Sequence, residues 1–579
     1  MKGGQRRSEE ILLNASLPLA PGASVYKGQT GYSELAAREF PYPSSRPLDS
    51  HRFMARIKDR VCQPPRVASH RDCVKHGSIP ANMNMSSSRP SYVLEPLKTP
   101  SALVCVIALA TSSAMLFWGT GLHPAWWLTW LAPVPVLLVS RNLSRRTAFL
   151  VAGVAWFVGS LNMWRYFLRA LDMPLLLVIV FSVIPACLFG IGVLLFRRLI
   201  RQGALWKACL ALPAFWVSLE YLNNVASRHG TFPNLGYTQM DFLTLVQLSS
   251  VVGIWGITFC VFLFAATASV LLGRPPDTPF PIRLTLGVTT FFVLVFGYGY
   301  WRLMTTPASE HSLKVGLIAT GSDTTFPSDD QTALKLLRSY SERSEALVRE
   351  GAQLVVLPEK IALVSALGTA QVDELYQSAA ARAGAPILVG LDRGAISKRW
   401  NEARLYFPDG RPAAVYDKHH MVPVFEDVDQ PGTSITVITE RSGTWGMEIC
   451  KDMDFPGLSR EYGRKGAGLL LVPAWDFTLD GWLHGRMAVM RGVENGFTIV
   501  RSAKQGLLTV SDDRGRILAQ QDAAYVNIGT LLATAPVRHA RTFYSRWGDW
   551  FAWLNVAALV AILSSLWIGK RKTARAIWS

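Results

Sequence analysis

From Ser101 to Leu303 the chain is a succession of apolar runs separated by short polar connectors. The runs fall near 101–118, 124–140, 147–167, 174–196, 206–222, 244–272 and 284–303. A helix of about 20 apolar residues crosses a bilayer core, so this pattern predicts seven spans. An eighth lies at Trp550–Ile568. Between the seventh and eighth the pattern changes. Apolar runs shorten to strand length at Lys314–Thr320, Leu354–Pro358, Pro386–Gly390, Leu469–Pro473, Thr498–Ser502 and Leu507–Ser511. Helical spacing marks Gln331–Glu350, Val372–Ala385 and Gly481–Glu494. Strands alternating with helices, then β-rich segments, predict a layered α/β domain over 312–540. The strands are continuously apolar, which predicts sheets covered on both faces.

Composition strengthens the membrane reading. Half of the 579 residues are hydrophobic, 17% are charged and 19 are tryptophan, too little charge for a water-soluble chain of this size. The net charge of +18 does not point to nucleic acid, because the Lys/Arg clusters sit beside apolar runs. Arg141, Arg145 and Arg146 follow the second run. Arg197, Arg198, Arg201 and Lys207 follow the fourth, Arg274 and Arg283 flank the loop after the sixth, and Lys570, Arg571 and Lys572 follow the eighth. Positive connectors stay in the cytoplasm. This places both termini inside and the α/β domain outside, in the periplasm of a bacterium. It also makes Asn223–Phe242 an external loop, either an interfacial aromatic belt or a wall of a lipid entrance. Residues 1–99 are rich in Ser, Pro and Arg without periodicity, and read as a disordered basic extension. Cys62, His70, Cys73 and His76 lie there at a spacing that fits no standard zinc finger, so they read as incidental rather than as a metal site.

Three stretches of the α/β domain carry candidate chemistry. In WGMEICKDMDFP, Cys450 ends an apolar run in front of a turn-prone segment, and it is the only cysteine after Trp301. Alone it fits a buried structural cysteine as well as a nucleophile. In LVVLPEK, Glu359 emerges just past a buried strand, where a carboxylate is either a rigid general base or a solvated loop acid. In YDKHHMVPVFE, Lys418 follows a short β-like run and is either an oxyanion stabiliser or a surface lysine. Glu426 is in reach to orient it. His419 and His420 are adjacent and point apart, so they do not share one metal; one is expected at the substrate rim or in a structural role and the other at the surface. Together Glu, Lys and Cys make a workable set: a base, an oxyanion partner and a thiol.

LPEK, YDKHHMVPVFE and EICKDMDFP, in that order, resemble the Glu-Lys-Cys signature of the nitrilase (carbon–nitrogen hydrolase) superfamily. With eight spans around an external domain, the chain is similar to the apolipoprotein N-acyltransferase family. FPNLGYTQMD at Phe232–Asp241 and RGVENGFTIVRSAKQG resemble further segments of it. The resemblance implies a polytopic α-helical membrane domain of about eight spans plus an extracytoplasmic nitrilase-like α/β (αββα) domain. It implies boundaries at 1–99 (extension), 100–304 (seven spans), 305–545 (catalytic domain) and 546–579 (last helix and basic tail). It also implies catalytic Glu359, Lys418 and Cys450 with Glu426 and Lys451 in support, and a location in the bacterial inner membrane. Cys450 would take an acyl chain from a phospholipid as a thioester and pass it to the α-amino group of a diacylglyceryl-cysteine lipoprotein. No cofactor, metal or nucleic acid is implied. The chain departs from the family in Lys451-Asp452, where the family has Tyr-Glu. It departs again in PAWDF, where the family has Asn-Asp-Ala-Trp-Phe, and in an expected tryptophan for which Phe326 is the nearest candidate. The first departure is closer to soluble nitrilase-like amidases and keeps open a membrane-tethered amidase, or an acyltransferase with another amine or water as acceptor.

Overall fold

The computed structural model describes residues 99–305, 309, 311–321, 327 and 329–578. The expected extension before residue 99, with Cys62, His70, Cys73 and His76, lies outside the described residues, as does Phe326. Among the described residues, six helices are long and apolar enough to cross a membrane: Ala102–Gly119, Arg145–Met163, Leu175–Arg201, Trp255–Leu272, Ile282–Met304 and Trp550–Ile568. The run at 124–140 forms two short helices, Trp126–Leu131 and Val134–Ser140, with Pro133 between them. The run at 206–222 is a continuous helix, Leu205–Ala226, that contains Pro213 and carries Glu220 and two asparagines near its end. The run at 244–272 begins as two single-turn helices and becomes continuous only after Gly253.

The Trp255–Leu272 helix is the hub of the membrane part. Some 72% of it is buried, against 22–39% for the other five. Phe262 packs on Trp216, which packs on Trp156 and Phe189. Aromatic rings of this size bury the most apolar area per side chain, so the bundle closes around this cluster.

The α/β domain holds thirteen strands: β1 (His311–Ala319), β2 (Leu354–Val356), β3 (Leu363–Val364), β4 (Ile387–Ala395), β5 (Lys398–Tyr406), β6 (Ala414–Asp417), β7 (Val437–Glu440), β8 (Gly443–Met447), β9 (Leu469–Trp475), β10 (Thr498–Lys504), β11 (Leu507–Ser511), β12 (Ile517–Asp522) and β13 (Gly529–Val537). One sheet runs β13-β1-β2-β4-β5-β6 with β3 beside β4, and the other runs β12-β11-β10-β9-β8-β7. The inner faces share one core, with Leu317, Val356 and Leu388 from the first sheet and Met447, Leu471 and Val500 from the second. Helices Asp330–Arg349 and Ala366–Ala383 cover the first sheet through Leu337, Val372 and Tyr376. Tyr462 and Ala488, from the Pro456–Arg464 and Gly481–Asn495 helices, cover the second. Four layers follow from the apolar strands, which must be covered on both sides.

The two parts interlock. Leu483, Met487, Met490 and Val493 of the Gly481–Asn495 helix belong to the membrane-domain core. Tyr166 donates to Asp480 at 2.7 Å, Ile254 N–H to Glu494 at 2.9 Å, and the Gln247 amide to the Arg514 carbonyl at 2.8 Å. Arg302, buried at the end of its helix, donates to Gln247 and to the Asp513 carbonyl.

One glycine on β4 sets where β2 ends. A Cβ on Gly390 would sit 2.2 Å from the Pro358 carbonyl oxygen and 2.8 Å from the Glu359 Cα, so only a bare backbone lets the chain turn there. Gly390→Ala is expected to cost roughly 1–3 kcal/mol, the usual penalty of overpacking. Gly457→Ala, inside a helix with open space around it, is expected to be neutral or slightly stabilising. Denaturation midpoints of the two variants beside wild type check this.

Candidate active site

Every expected catalytic side chain stands just past a strand end, and the sandwich brings them together. Glu359 follows β2, and its N–H reaches across to the Ala474 carbonyl of β9. Lys418 follows β6 and is tied to β5 by its N–H on the Asn401 carbonyl at 2.9 Å. Cys450 lies just beyond β8 and opens a short turn, Cys450–Asp454. Its φ is +43°, a conformation that costs a non-glycine residue of order 1 kcal/mol or more and persists only where surroundings enforce it. The half-buried thiol points at the Trp475 carbonyl, 3.5 Å away.

Lys418 is the centre of a buried ion cluster. Its ammonium lies 2.7 Å from Glu359 Oε1 and 2.8 Å from Glu426 Oε2. Asn401 donates from one amide nitrogen to both carboxylates, at 2.6 and 3.0 Å. Glu426 is gripped a third time by Lys360, 2.8 Å from Oε1. Lys360 also meets Asp429 at 2.5 Å and Asp392 at 3.5 Å, and Arg399 pairs with both of those acids.

The charges set the proton affinities. Burial alone would pull Lys418 down, but Glu359, Glu426 and Cys450 outweigh it and hold the ammonium well above its ordinary range. Burial would raise Glu426, yet Lys418 and Lys360 bring it down to about 2. Burial lifts Asp392 to about 7 despite Lys360. The Cys450 thiol is pushed well up, first by burial and then by Glu359, with Lys418 working the other way. The resting thiol therefore keeps its proton until a base removes it.

The turn carrying Cys450 is fastened to the lysine loop by Asp452. Its carboxylate accepts from Tyr416 Oη at 2.7 Å, His420 N–H at 2.8 Å and His419 N–H at 3.1 Å. Lys451 turns the other way, onto Asp454 at 2.9 Å. The two residues that depart from the family pattern thus brace the turn from both sides. His419 stacks on Tyr416, and His420 stacks on Phe455 with ring centres 3.6 Å apart. Both are half-buried, so the expectation that one of them is a surface residue is corrected: Asp452 draws the pair inward.

The loop after the fifth expected span forms a wall of the same turn. Thr231 donates to the Asp454 carbonyl through its N–H at 2.9 Å and its hydroxyl at 2.7 Å. A Cβ on Gly230, whose φ is +54°, would meet that carbonyl at 2.5 Å. Tyr237 bonds Thr231 at 2.6 Å and accepts from Arg491 at 3.1 Å. Glu220, an unusual charge for such a helix, accepts from Asn234 at 2.7 Å and Leu235 N–H at 2.8 Å. The middle of the loop is therefore held from two sides, by the Cys450–Asp454 turn and by Glu220, which a plain aromatic belt would not need.

Behind Trp475, Asp476 pairs with Arg501 through both oxygens. Asp476, Asp480 and His484 bring their ligand atoms within 4.8 Å of one another. Arg501 takes the first carboxylate, while Tyr166 and Phe477 N–H take the second. That leaves these acids acting as hydrogen-bond acceptors. Burial would lower His484, but Asp480 and Asp476 raise it to about 10. The roles of Asn401, Lys360, Asp429 and Asp452 were not readable beforehand. Lys360 stood in the quoted LPEK motif, but its partners lie 32 to 69 residues away.

Residues 103–267 match the family model for the apolipoprotein N-acyltransferase N-terminal domain, and residues 315–533 match that for carbon-nitrogen hydrolase. The chain thus resembles the apolipoprotein N-acyltransferase family in its membrane part and the carbon-nitrogen hydrolases in its α/β domain. It is 27% identical over 510 residues to an apolipoprotein N-acyltransferase of Geobacter metallireducens, covering 78% of this chain and 93% of that one. It is 26% identical to one of Bradyrhizobium diazoefficiens, covering 67% and 77%. Among solved structures, Saccharomyces cerevisiae Nit3, of the nitrilase superfamily, matches 40% of this chain and 93% of its own at 22% identity and a TM-score of 0.34.

Because Glu426 is held near 2, its share of stability is fully present above the unfolded carboxylate value of roughly 4.3 and fades as pH falls through the folded one. Lys360→Met removes one of its two cations. Breaking a buried pair this way costs roughly 3–5 kcal/mol, and the acid-side loss is expected to begin at a higher pH than in wild type. Unfolding midpoints between about pH 2 and 6, spanning the folded and unfolded values of this carboxylate, check both.

Proposed function

We propose that this protein is a membrane N-acyltransferase. It moves an acyl chain from a phospholipid, through a thioester on Cys450, to the α-amino group of the N-terminal diacylglyceryl-cysteine of lipoproteins. The observation that carries the reading is the Lys418 ammonium bound to Glu359 and Glu426 at 2.7 and 2.8 Å, with the Cys450 thiol inside the same field. The matching family models and the names of the relatives support the acceptor and the membrane setting.

In the first half-reaction Glu359 takes the thiol proton as Sγ attacks the ester carbonyl. Lys418 faces the oxyanion that forms, where a fixed positive charge acts more strongly than in water. The carbon–oxygen bond breaks, and Glu359 returns the proton to the leaving alkoxide, which departs as lysophospholipid. In the second half-reaction the amine attacks the thioester and gives its proton to Glu359. The carbon–sulfur bond then breaks, the amide leaves and the thiolate is reprotonated. Glu426 is a positioning residue, keeping Lys418 charged and aimed. Lys451 supports the turn through Asp454.

The membrane setting belongs to the same reading. Eight spans carry the Arg-rich connectors and both termini on the cytoplasmic side of the inner membrane, and the catalytic domain stands in the periplasm. Both substrates are lipid-anchored, so they enter from the bilayer past the Asn223–Phe242 loop. That loop's grip on Asp454 supports this route. A site walled in this way keeps water from the thioester.

The full-length protein incubated with phospholipid and weighed intact is expected to gain one acyl mass. The adduct should be removed by hydroxylamine, be absent in Cys450→Ala, and be passed to a diacylglyceryl-cysteine peptide as an amide. Cys450-dependent hydrolysis of small amides without any acyl adduct would overturn the transferase reading in favour of an amidase.

A further inference from the structure

A second polar feature lies at the far end of the membrane domain. The Ile282–Met304 helix ends with Arg302 on the catalytic domain. Its 23 residues at about 1.5 Å each put its start roughly 34 Å away, on the opposite membrane face. There three connectors meet: the one after Ser140, the one between Arg201 and Leu205, and the loop from Gly273 to Pro281. They enclose a cavity of about 190 Å³ lined by Arg141, Arg274, Gly203, Thr278 and Phe280, among others.

The cavity is built for an anion. Arg141 spends one terminal nitrogen on the Gly273 carbonyl, while its buried Nε has no partner among the described residues. Arg274 donates to the Thr278 carbonyl, and its guanidinium lies 5.6 Å from the Phe280 ring centre. Both cations are therefore held in place with donor capacity to spare. Arg197 donates to the Ser140 and Leu143 carbonyls, which fixes the connector that presents Arg141. Two helices, Leu205–Ala226 and Ile282–Met304, begin at the rim, and their N-termini favour negative charge. No acid lines the cavity; Asp277 in the same loop is exposed.

The rim is apolar and open. Leu272, Phe280 and Ile282 are 70%, 50% and 54% exposed. A soluble ion has no use for such a border, whereas a lipid needs a wall for its chains beneath a pocket for its headgroup. Basic pockets between spanning helices are a known way of recognising anionic lipid.

We propose that this cavity binds the phosphate of an anionic phospholipid headgroup, in the leaflet facing away from the catalytic domain. The site is separate from acyl transfer: it lies a helix length from the Arg302 contact with the α/β domain and shares no residue with the Cys450 cluster. It ties the connectors of three helix pairs to the lipid surface and so steadies the bundle that carries the catalytic domain.

Native mass spectrometry of the full-length protein tests this, with phosphatidylglycerol and phosphatidylcholine offered at equal concentration. One phosphatidylglycerol is expected to stay bound at a concentration at least tenfold lower than phosphatidylcholine needs. Arg274→Gln should abolish that preference while leaving the rate of Cys450 alkylation unchanged. Arg141 also closes a helix end, so Phe280→Ser serves as the second variant; it should weaken lipid retention and leave any effect of inorganic phosphate unaltered. Equal retention of the two lipids would overturn the proposal, as would an unchanged preference in Arg274→Gln. Inorganic phosphate raising the unfolding temperature as much as phosphatidylglycerol would reassign the cavity to a soluble anion and overturn the lipid site.

Discussion

The α/β domain depends on one buried cation, the Lys418 ammonium, which has no exposure to water. Such a group costs several kcal/mol to desolvate. Each carboxylate at hydrogen-bond distance offers roughly 6 kcal/mol at an effective dielectric near 20, and two such carboxylates keep it charged. Glu359 and Glu426 supply them. Two buried carboxylates then leave an excess negative charge, which Lys360 offsets at Glu426. Asp429, Asp392 and Arg399 extend the same balance outward. Removing any one member leaves another uncompensated, which is why the cluster spans β2, β4, β5 and β6 rather than one loop.

This charge balance meets the membrane part at the turn that carries Cys450. Asp452 secures the turn to the lysine loop, and Lys451 closes it internally onto Asp454, whose carbonyl receives Thr231. The Gly481–Asn495 helix packs on the second sheet and also lends side chains to the membrane core. The turn that carries Cys450 is therefore held by both parts of the chain, since Thr231 of the Asn223–Phe242 loop bonds the Asp454 carbonyl at under 3 Å.

Much of this was legible in the sequence, for a physical reason. Glu359, Lys418 and Cys450 each follow a strand, and the structure places all three within one electrostatic cluster. Helices such as Gly481–Asn495 were readable from their spacing. β5 was not, because its outward positions are charged: Arg404 pairs with Glu402 on the same strand and with Asp373. Without β5, Asn401 had no place, and so its bridge between Glu359 and Glu426 was invisible. Asp452 was noticed only as a departure, because its partners, Tyr416 and the backbone of His419 and His420, come from 32 to 36 residues earlier. The break at Pro133 shows the limit of hydropathy, which sees an apolar stretch but not whether one helix or two short ones fill it.

The most direct test of the central claim, that the buried ion cluster governs the Cys450 proton, is the pH dependence of Cys450 alkylation in wild type and in Glu359→Gln. Glu359 raises the thiol's proton affinity and Lys418 lowers it. Neutralising Glu359 should therefore move the alkylation midpoint to lower pH, even as acyl transfer falls by roughly 10²–10⁴ for loss of a general base. A midpoint that stays in place or moves upward in Glu359→Gln would contradict the claim, since the carboxylate would then not act on the thiol.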